Sequence, residues 1–274
     1  MKSRVTITLA PKLLGEVDKL IDGEDITNRS NAIEKILKEY FRPSAAKMAF
    51  ILAGGKGVRL RPLTYELPKP MVTIKGKPIL GYIIDRLKES EITDIIISIG
   101  YLGNRIKEYF GDGSKFGVNI TYLEEKTALG TSGALKQAQH LIRDDIVVIN
   151  GDQLFDFDIS KIYNFHKRQK ALATMAVTTW EDVSQFGAVE MDGNEIVNFI
   201  EKPKTDQKTH LINAGIYVFN PLVLSLLPNG PSALPDFLAK LAQRRKLNGF
   251  MYSGKWLPCD NLQLYERALK EWNQ

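Results

Sequence analysis

Polar and apolar residues alternate near the start of the chain, from Arg4 to Leu9. Such a period of two is typical of a β-strand with one buried face, here carrying Val5, Ile7 and Leu9. One strand in so small a unit cannot satisfy its own backbone groups, so it needs a partner from another copy of the chain. The pattern therefore predicts a homodimer, or a higher oligomer, assembled through these residues.

Two helices are predicted directly after this strand. The first begins at Pro11, carries apolar residues at helical spacing and ends at Gly23. The second follows the polar stretch from Thr27 to Asn31, in which Ser30 is the expected N-cap. Residues 1–42 are thus expected to form a small strand–helix–helix unit. The apolar stripe of the second helix consists of Ala32, Ile33, Ile36, Leu37, Tyr40 and Phe41.

A second region follows a short linker at residues 43–47, which contains a proline and small residues. From residue 48 to residue 274, short apolar strands alternate with helical segments. This alternation is typical of an α/β domain with a Rossmann-like, doubly wound and mostly parallel sheet. No hexapeptide repeats follow, so no left-handed β-helix domain is expected. Strands are predicted at 49–53, 95–100, 118–123 and 146–149, and helices at 78–89, 105–110 and 133–141.

Composition narrows this picture only slightly. The net charge of +5 suits a polyanionic ligand, but without a localised patch it does not establish nucleic-acid binding. The single cysteine, Cys259, excludes a disulfide within one chain, and the three histidines lack the spacing of metal ligands. No apolar run reaches the roughly 20 residues of a membrane span, and the N-terminus does not resemble a secretory signal. We therefore expect a cytoplasmic protein without membrane contact.

A glycine-rich stretch from Ala53 to Arg59 follows the first strand of the α/β domain. It lies at the carboxyl end of that strand, where open α/β sheets bind ligands. Its glycines let backbone amides approach a phosphate closely, and Lys56 and Arg59 add charge-assisted donors. It lacks the ending of a Walker A loop, and Leu60 stands where the dinucleotide fingerprint has its third glycine. We predict a phosphate-binding loop of another type; the alternative is a glycine-rich turn without a ligand.

The N-terminal unit resembles the ribbon-helix-helix family of DNA-binding proteins over residues 3–42, including the Arg-Ser-x-Ala-Ile start of the second helix. In that family, strands from two chains pair into a ribbon that enters the major groove. The resemblance implies that Arg4, Thr6 and Thr8 face the base edges of double-stranded DNA. It also implies that the backbone amides of residues 28–31 hold a phosphate. The alternative is that the unit serves only for dimerisation.

A longer motif surrounds the glycine-rich loop. Residues 52–64 read Leu-Ala-Gly-Gly-x-Gly-x-Arg-Leu-x-Pro-Leu-Thr, with Pro-Lys-Pro-Met at 68–71 and Gly-Lys-Pro-Ile-Leu at 76–80. This combination resembles the sugar-1-phosphate nucleotidyltransferases, and the resemblance extends over residues 48–274. It implies transfer of a nucleotidyl group from a nucleoside triphosphate (NTP) to a hexose 1-phosphate, with release of pyrophosphate.

The resemblance also implies catalytic roles for individual residues. Because both substrates are anions, catalysis depends on cations and in-line positioning more than on a general base. Arg59 would bind the leaving pyrophosphate, Lys69 the α-phosphate and the sugar phosphate, and Lys202 the sugar phosphate. Asp152, at the end of the strand predicted at 146–149, and Asp260 would ligate Mg²⁺.

Two sets of substrate-binding residues follow from the same resemblance. The nucleotide-binding set consists of Leu52, Ala53, Gly54, Gly55, Gly57, Glu124, Gly130 and Thr131. The sugar-binding set consists of Gly187, Glu201, Asn213 and Gly215.

The second carboxylate is where the chain departs from the commonest family pattern, Trp-x-Asp-x-Gly. Residues 256–261 read Trp-Leu-Pro-Cys-Asp-Asn, so Pro258 takes the usual aspartate position. The stretch resembles a Trp-x-Pro-x-Asp-Thr-Leu variant of glucose-1-phosphate cytidylyltransferases, which implies that Asp260 is the ligand. The alternative is a structural Asp260 and a weakened site. This segment indicates cytidylyl transfer, whereas the Leu-Gly-Thr-x-Gly form at 129–133 is common among guanylyltransferases, so the base stays open.

Two functions of different classes are consistent with these features. The first is an active transferase whose N-terminal unit binds DNA or only assembles the enzyme. The second is a transcriptional regulator that senses a nucleotide sugar through a catalytically weak transferase domain, and Pro258 is its main support. A narrower third alternative keeps the fold but uses another phosphate-bearing acceptor, such as phosphocholine.

Overall fold

The computed structural model describes residues 5–41, 46–125, 127–204 and 208–273, with only the backbone described at 38–41. The chain divides into two compact units, Met1–Ser44 and Ala45–Gln274. Arg4, one of the three predicted DNA contacts, lies outside the described residues, and so does the start of the predicted linker, residues 43–45.

The N-terminal unit contains two helices, α1 (Pro11–Asp18) and α2 (Arg29–Phe41). Its small core is formed by one buried side chain from α1, one from the connecting turn and one from α2, namely Val17, Ile26 and Ala32. The first helix ends five residues before Gly23, because the chain turns tightly from residue 18 onward.

Asn28 caps the second helix. Its side-chain oxygen accepts a hydrogen bond from the backbone N–H of Asn31 at 3.0 Å, which satisfies one of the free amides at the helix start. The predicted N-cap, Ser30, instead lies inside the first turn of α2, so that prediction is wrong. Asn caps a helix as well as Ser does, so residue type alone did not single out the capping position.

Residues 5–10 form no strand in the single chain, in contrast to the predicted strand at 4–9. Val5 is 77% exposed and Ile7 is 52% exposed, and Thr6 and Thr8 are exposed as well. A β-strand requires a neighbouring strand to which its backbone can hydrogen-bond, and for this segment that neighbour would come from a second copy of the chain. The single chain therefore does not confirm the predicted strand, and Val5 and Ile7 remain exposed, whereas Leu9 packs against the small core.

A nine-stranded sheet forms the centre of the second unit. Its strands are β1 (Met48–Ala53), β4 (Asp94–Ile99), β5 (Asn119–Glu124), β6 (Ile146–Asn150), β8 (Ala173–Thr179), β9 (Gly187–Asp192), β10 (Glu195–Glu201), β11 (Leu211–Phe219) and β12 (Leu247–Met251). The first four strands in spatial order are β5, β4, β1 and β6, and all three pairings among them are parallel. The other five follow as β11, β8, β12, β10 and β9, and there only the β8–β12 pairing is parallel. The prediction of a mostly parallel sheet holds for the first part, whereas the whole sheet is mixed.

Helices cover both faces of this sheet, and each face has its own apolar core. The alternation along β1 illustrates this, because Ile51 belongs to one cluster and Phe50 to the other. Buried strands with apolar residues on both faces are typical of a doubly wound fold. The helices are α3 (Ile79–Glu89), α4 (Gly103–Phe110), α5 (Gly130–Gln137), α6 (Ile159–Gln169), α7 (Pro221–Leu226), α8 (Leu234–Gln243) and α9 (Leu262–Glu271).

Two short strand pairs complete the unit. One joins β2 (Thr73–Ile74) to β3 (Lys77–Pro78), and the other joins β7 (Gln153–Phe155) to β13 (Trp256–Pro258), both antiparallel. The second pair starts directly after β6 and therefore lies at the carboxyl edge of the parallel strands. Throughout the described ranges, no helix is both long enough and apolar enough to cross a bilayer.

Candidate active site

Asp152 lies where the chain leaves β6, at the same sheet edge as the glycine-rich loop after β1. Between them, Gly151 donates a backbone hydrogen bond to the carbonyl of Leu52 at 2.9 Å. A Cβ atom at position 151 would stand 2.7 Å from that carbonyl oxygen, so only glycine allows this approach. The close contact holds Asp152 beside the loop.

The pairing of β7 with β13 brings a distant part of the chain to Asp152. Pro258 pairs with Gln153 in this small sheet, and the backbone N–H of Cys259 donates to the carbonyl of Asp152 at 3.0 Å. Asp260 follows immediately and directs its carboxylate into the same site. Proline at 258 is compatible with this pairing because β13 stands at the edge of a two-stranded sheet, where a missing N–H is tolerated.

Lys69 connects the two carboxylates. Its ammonium lies 2.6 Å from Oδ2 of Asp152 and also contacts Oδ1 of Asp260. The Lys69 side chain is only 10% exposed, and burial by itself would lower its pKa. The two carboxylates outweigh burial and hold that pKa above its usual value. Burial likewise opposes the charge of Asp260, but Lys69 and then Arg59 keep the pKa of that carboxyl below its usual value.

Two further cations stand around Asp260. The guanidinium of Arg59 lies 3.3 Å from Asp260 Oδ1, and Lys202 lies 3.5 Å from Glu201 Oε1. Lys202 has a left-handed backbone (φ 45°), and its N–H donates to the carbonyl of Phe186 at 2.9 Å. Such a conformation is rare for a non-glycine residue and concentrates at functional sites. Three predicted cations and two predicted carboxylates are thus gathered in one place.

A cavity of about 290 Å³ opens above the glycine-rich loop; we call it the glycine-loop cavity. It contains six of the eight predicted nucleotide-binding residues, together with Lys69 and Asp152. The lining residues are Leu52, Ala53, Gly54, Gly55, Lys69, Pro70, Glu125, Ala128, Gly130, Thr131, Asn150, Gly151 and Asp152.

A second cavity, of about 200 Å³, adjoins the first and shares Asn150 and Asp152 with it; we call it the polar cavity. All four predicted sugar-binding residues line it, as do Arg59, Lys202 and Asp260. Its full lining is Arg59, Asn150, Asp152, Gln153, Gln185, Phe186, Gly187, Glu201, Lys202, Asn213, Gly215, Trp256, Pro258 and Asp260.

Gly215 shapes the floor of the polar cavity. Its φ of 68° favours glycine, and a Cβ atom there would stand 2.6 Å from Asn150 Nδ2 and 2.7 Å from Gln153 Oε1. The side-chain amide of Gln153 donates to the carbonyl of Gly215 at 3.2 Å, and Asn213 Oδ1 accepts from the N–H of Gly215 at 2.9 Å. These contacts orient amide groups in a cavity that can receive hydroxyl groups.

Two predicted nucleotide-binding residues lie elsewhere. Glu124 is exposed, contacts Lys107 and lines a neighbouring cavity of about 260 Å³ rather than the glycine-loop cavity. Gly57 does not line the glycine-loop cavity either. Its Cα packs on Lys69, because a Cβ atom there would stand 2.9 Å from that side chain. Gly57 therefore supports the position of Lys69.

Sequence reasoning missed several residues of the site. Glu125, Asn150, Gln153 and Gln185 all line one of the two cavities. Asn150 and Gln153 flank Asp152 in the chain, so their proximity to it could have indicated them. Gln185 had no such signal; its side chain accepts a hydrogen bond from Asn261 at 3.1 Å, a contact between segments 76 residues apart.

The carboxylate pair fits a hard divalent cation. Asp152 and Asp260 already share one cation, the ammonium of Lys69, and hard oxygen donors of this kind suit Mg²⁺. Among the described residues, no group of three or more His, Cys, Asp or Glu side chains converges as a metal site. Two carboxylates are nevertheless sufficient for Mg²⁺, which keeps waters and substrate phosphates as its remaining ligands.

Comparison with known proteins identifies the family of the larger unit. Residues 48–270 match the family described as nucleotidyl transferase. A UTP–glucose-1-phosphate uridylyltransferase from Synechocystis sp. is 37% identical over 198 residues, covering 66% of this chain and 51% of that protein. A mannose-1-phosphate guanyltransferase from Yarrowia lipolytica is 36% identical over 217 residues, covering 76% of this chain and 59% of that protein.

The fold is also similar to solved structures. HddC from Yersinia pseudotuberculosis superimposes with a TM-score of 0.72 at 26% identity, covering 83% of this chain and 100% of HddC. The chain spans about half the length of the first curated relatives that it matches. From the family match and the shared fold, the chain belongs to the nucleotidyl transferase family.

Proposed function

We propose that residues 48–274 transfer a nucleotidyl group from an NTP to a hexose 1-phosphate, giving a nucleotide sugar and pyrophosphate. The observation that carries this proposal is the junction of the two cavities at Asp152. One cavity is built from a glycine-rich loop and the other from polar side chains, and Arg59, Lys69 and Lys202 stand around their junction. Such a site can hold two phosphorylated molecules end to end.

In the proposed reaction, the NTP lies in the glycine-loop cavity and the sugar 1-phosphate lies in the polar cavity. A phosphate oxygen of the sugar 1-phosphate forms a bond to the α-phosphorus of the NTP. The bond from that phosphorus to the oxygen bridging to the β-phosphate breaks, and its electron pair leaves with pyrophosphate. Because the attacking oxygen is already anionic, the residues of the site need to position and neutralise phosphates rather than remove a proton.

Each charged residue has a role in this scheme. Lys69 contacts the α-phosphate and the incoming sugar phosphate, Arg59 the departing pyrophosphate, and Lys202 the sugar phosphate. A buried cation such as Lys69, aimed at developing negative charge, stabilises the transition state strongly. Asp152 and Asp260 would hold Mg²⁺, which when bound supplies further neutralisation of the phosphate charge.

The sugar would lie against Gly187, Glu201, Asn213 and Gly215. Gly187 lets Phe199 and Glu201 pack closely against the backbone, because a Cβ atom there would overlap the ring of Phe199 and approach Glu201 Oε2 to 3.0 Å. Partial burial raises the pKa of Glu201, although Lys202 opposes this. A carboxylate and an amide at this position can accept and donate hydrogen bonds to sugar hydroxyls.

The relatives support the reaction class but not a single substrate pair. Their names specify UTP with glucose 1-phosphate in one case and guanyl transfer to mannose 1-phosphate in another. A structure of HddC contains GMP-PN. We therefore propose hexose 1-phosphates as the acceptor class.

A release assay for pyrophosphate tests this function. Purified protein is incubated with Mg²⁺, each of the common NTPs and a panel of hexose 1-phosphates, with phosphocholine as an additional acceptor. We expect pyrophosphate from at least one NTP–hexose 1-phosphate pair, and loss of that signal in Asp260→Asn. Release of pyrophosphate with phosphocholine alone would show that the acceptor is phosphocholine and not a hexose 1-phosphate. Silence across the panel, together with tight binding of a nucleotide sugar, would instead establish the sensing regulator.

We further propose that the N-terminal unit assembles two chains and binds double-stranded DNA, with Arg4, Thr6 and Thr8 facing the bases. The exposed apolar side chains of Val5 and Ile7 support assembly, because pairing with a second copy would cover them. DNA binding rests on the resemblance alone. It predicts salt-sensitive binding that disappears when residues 1–42 are deleted. Unchanged DNA affinity after the deletion would contradict it, and absence of binding in the full chain would leave assembly as the role of the unit.

A further inference from the structure

Glu125 is a carboxylate of the glycine-loop cavity with no role in the scheme above. It follows β5 directly, and its Oε1 lies so close to Gly54 that a Cβ atom at position 54 would overlap it. Glu125 lines both the glycine-loop cavity and the neighbouring cavity of about 260 Å³. Its carboxylate therefore stands in the wall between the two spaces, against the backbone of the loop.

Two hydrogen bonds fix the orientation of this carboxylate. The buried hydroxyl of Ser98, near the end of β4, donates to Oε1 at 2.8 Å. The backbone N–H of Leu129, just before α5, donates to Oε2 at 3.0 Å. Each carboxylate oxygen has two acceptor sites, so both oxygens can still accept a hydrogen bond from a ligand. The side chain is thus held in one position and keeps acceptor capacity.

The sheet order indicates which end of a nucleotide would meet Glu125. Glu125 follows β5 and contacts β4, whereas Asp152 follows β6, on the other side of β1. The lining between them consists mainly of neutral residues of the loop and of the segment before α5. A triphosphate needs the cations near Asp152. The base therefore extends toward Glu125.

An ionised carboxylate accepts hydrogen bonds and donates none. Guanine is the base whose Watson–Crick edge presents two adjacent donors, N1–H and the N2 amino group, and these match the two oxygens of a carboxylate. Uracil and thymine place carbonyl oxygens on both sides of their single N–H, and cytosine and adenine place an acceptor nitrogen beside their amino group. Those acceptors would face a carboxylate oxygen and be repelled.

We propose that Glu125 selects guanine and that GTP is the nucleotide donor. This inference rests on the proposed function and names the base that it left open. A site built around a hydrogen-bonding group rejects ligands that leave the group unpaired far more strongly than an apolar pocket rejects a size difference. A single half-buried carboxylate with both oxygens held in place is therefore sufficient for a clear preference.

The test compares wild type with Glu125→Gln, using kcat/KM for GTP, UTP and CTP at a saturating hexose 1-phosphate. A glutamine presents one acceptor and one donor, which suits uracil better than guanine. We expect wild type to prefer GTP over UTP by about 100-fold or more, and the variant to lose at least about 10-fold of that ratio. Glu89→Gln is the matched control, because Glu89 pairs with Arg86 on α3, outside both cavities, and should leave the ratio unchanged.

The other outcomes of this experiment also support or contradict the proposed role of Glu125. An equal loss for every nucleotide would assign Glu125 a purely structural role, and a wild-type preference for UTP or CTP would overturn the proposal while the transferase function stands. If no NTP is turned over, the proposed function fails, and calorimetric binding of GDP against UDP and CDP decides on Glu125 separately. If Glu125→Gln does not fold, the wild-type preference among GTP, UTP and CTP decides on the proposal instead.

Discussion

Lys69 holds together two carboxylates that would otherwise repel each other, and its replacement by methionine separates its two roles. We expect Lys69→Met to lower kcat by at least about 100-fold, as for other buried groups that stabilise phosphate charge. We also expect Mg²⁺ to raise the melting temperature of this variant more than that of wild type. The reason is that Asp152 and Asp260 then lack their shared cation.

Calorimetric melting with and without Mg²⁺ measures the second effect independently of turnover. Lys161→Met, an exposed position on α6, serves as the control and should behave as wild type in both assays. An identical Mg²⁺ response in wild type and Lys69→Met would contradict a metal site at these two carboxylates.

Gly215 gives a second prediction. It separates the cost of a positive φ for a non-glycine residue from the cost of steric overlap at the added Cβ atom. Gly215→Ala combines a positive φ with contacts of 2.6 and 2.7 Å to Asn150 and Gln153, whereas Gly230→Ala has a similar φ of 83° and nothing within 4 Å. We expect about 1 kcal/mol of destabilisation for Gly230→Ala and about 2–3 kcal/mol for Gly215→Ala. Urea denaturation measures both, and KM for the sugar phosphate should rise only in Gly215→Ala. Equal losses of unfolding free energy in the two variants would show that Asn150 and Gln153 move aside and relieve the overlap.

These residues also show what could be predicted at this scale. Arg59, Lys69 and Asp152 stand in contiguous motifs, so their proximity was predictable before the fold was known. The choice between Glu124 and Glu125 was not, because neighbouring residues at a strand end point to opposite sides and the pleat decides which one reaches the cavity. Composition alone cannot separate two adjacent glutamates.

At the scale of elements, α6 and β8 are joined by a buried polar group. His166 of α6 is 1% exposed, and its Nδ1 lies 2.8 Å from the hydroxyl of Thr174 in β8. Its Nε2 lies 3.8 Å from Asp145 and has no hydrogen-bond partner in the described part of the chain. Asp145 instead accepts from Lys167 at 2.7 Å and from Asn220 at 2.9 Å. Burial lowers the pKa of His166 to about 4, and Lys167 adds to this, while Asp145 opposes it.

This arrangement predicts a pH-dependent stability. The unfolded chain protonates His166 near pH 6.5, whereas the folded chain resists protonation down to about pH 4. The stabilisation is therefore complete above the unfolded pKa and is lost as the pH falls through this window, to a limit of about 3 kcal/mol. Urea denaturation at several pH values should show a shallower slope for His166→Asn than for wild type. His140→Asn, at an exposed histidine, should keep the wild-type slope. Equal slopes in all three proteins would contradict the prediction.

Some parts of the sheet were easier to predict from the sequence than others, because strand pairings differ in how far apart along the chain their two strands lie. β1, β4, β5 and β6 alternate with helices along the chain, and their parallel direction could be inferred from this alternation. The second part of the sheet could not, because β12 inserts between β8 and β10 although it is the last of the nine strands along the chain. The same kind of long-range pairing, between β7 and β13, is what brings Asp260 to Asp152. A local pattern contains no signal for such contacts.

At the scale of the whole molecule, the chain contains two units with separate cores. Among the described residues, the N-terminal core consists of Val17, Ile26 and Ala32. Three buried core residues in the described part of this unit are few for an independent unit, which agrees with the exposure of Val5 and Ile7 and with the proposed second copy. The larger unit has extensive cores on both faces of its sheet and contains every residue of the candidate active site.

Deleting residues 1–42 should therefore separate assembly from chemistry. Because the larger unit has its own cores, we expect kcat/KM to stay within about twofold of the full chain. The molecular mass in sedimentation should fall by a factor of about two or more, since the segment proposed to pair two copies is gone. The double variant Val5→Asp/Ile7→Asp should dissociate the full chain in the same way, because charges cannot be buried in a paired ribbon without large cost. It should cost little in an isolated unit, where both side chains are exposed. An unchanged mass after deletion would place the interface on the larger unit, and loss of turnover would show that the two units depend on each other.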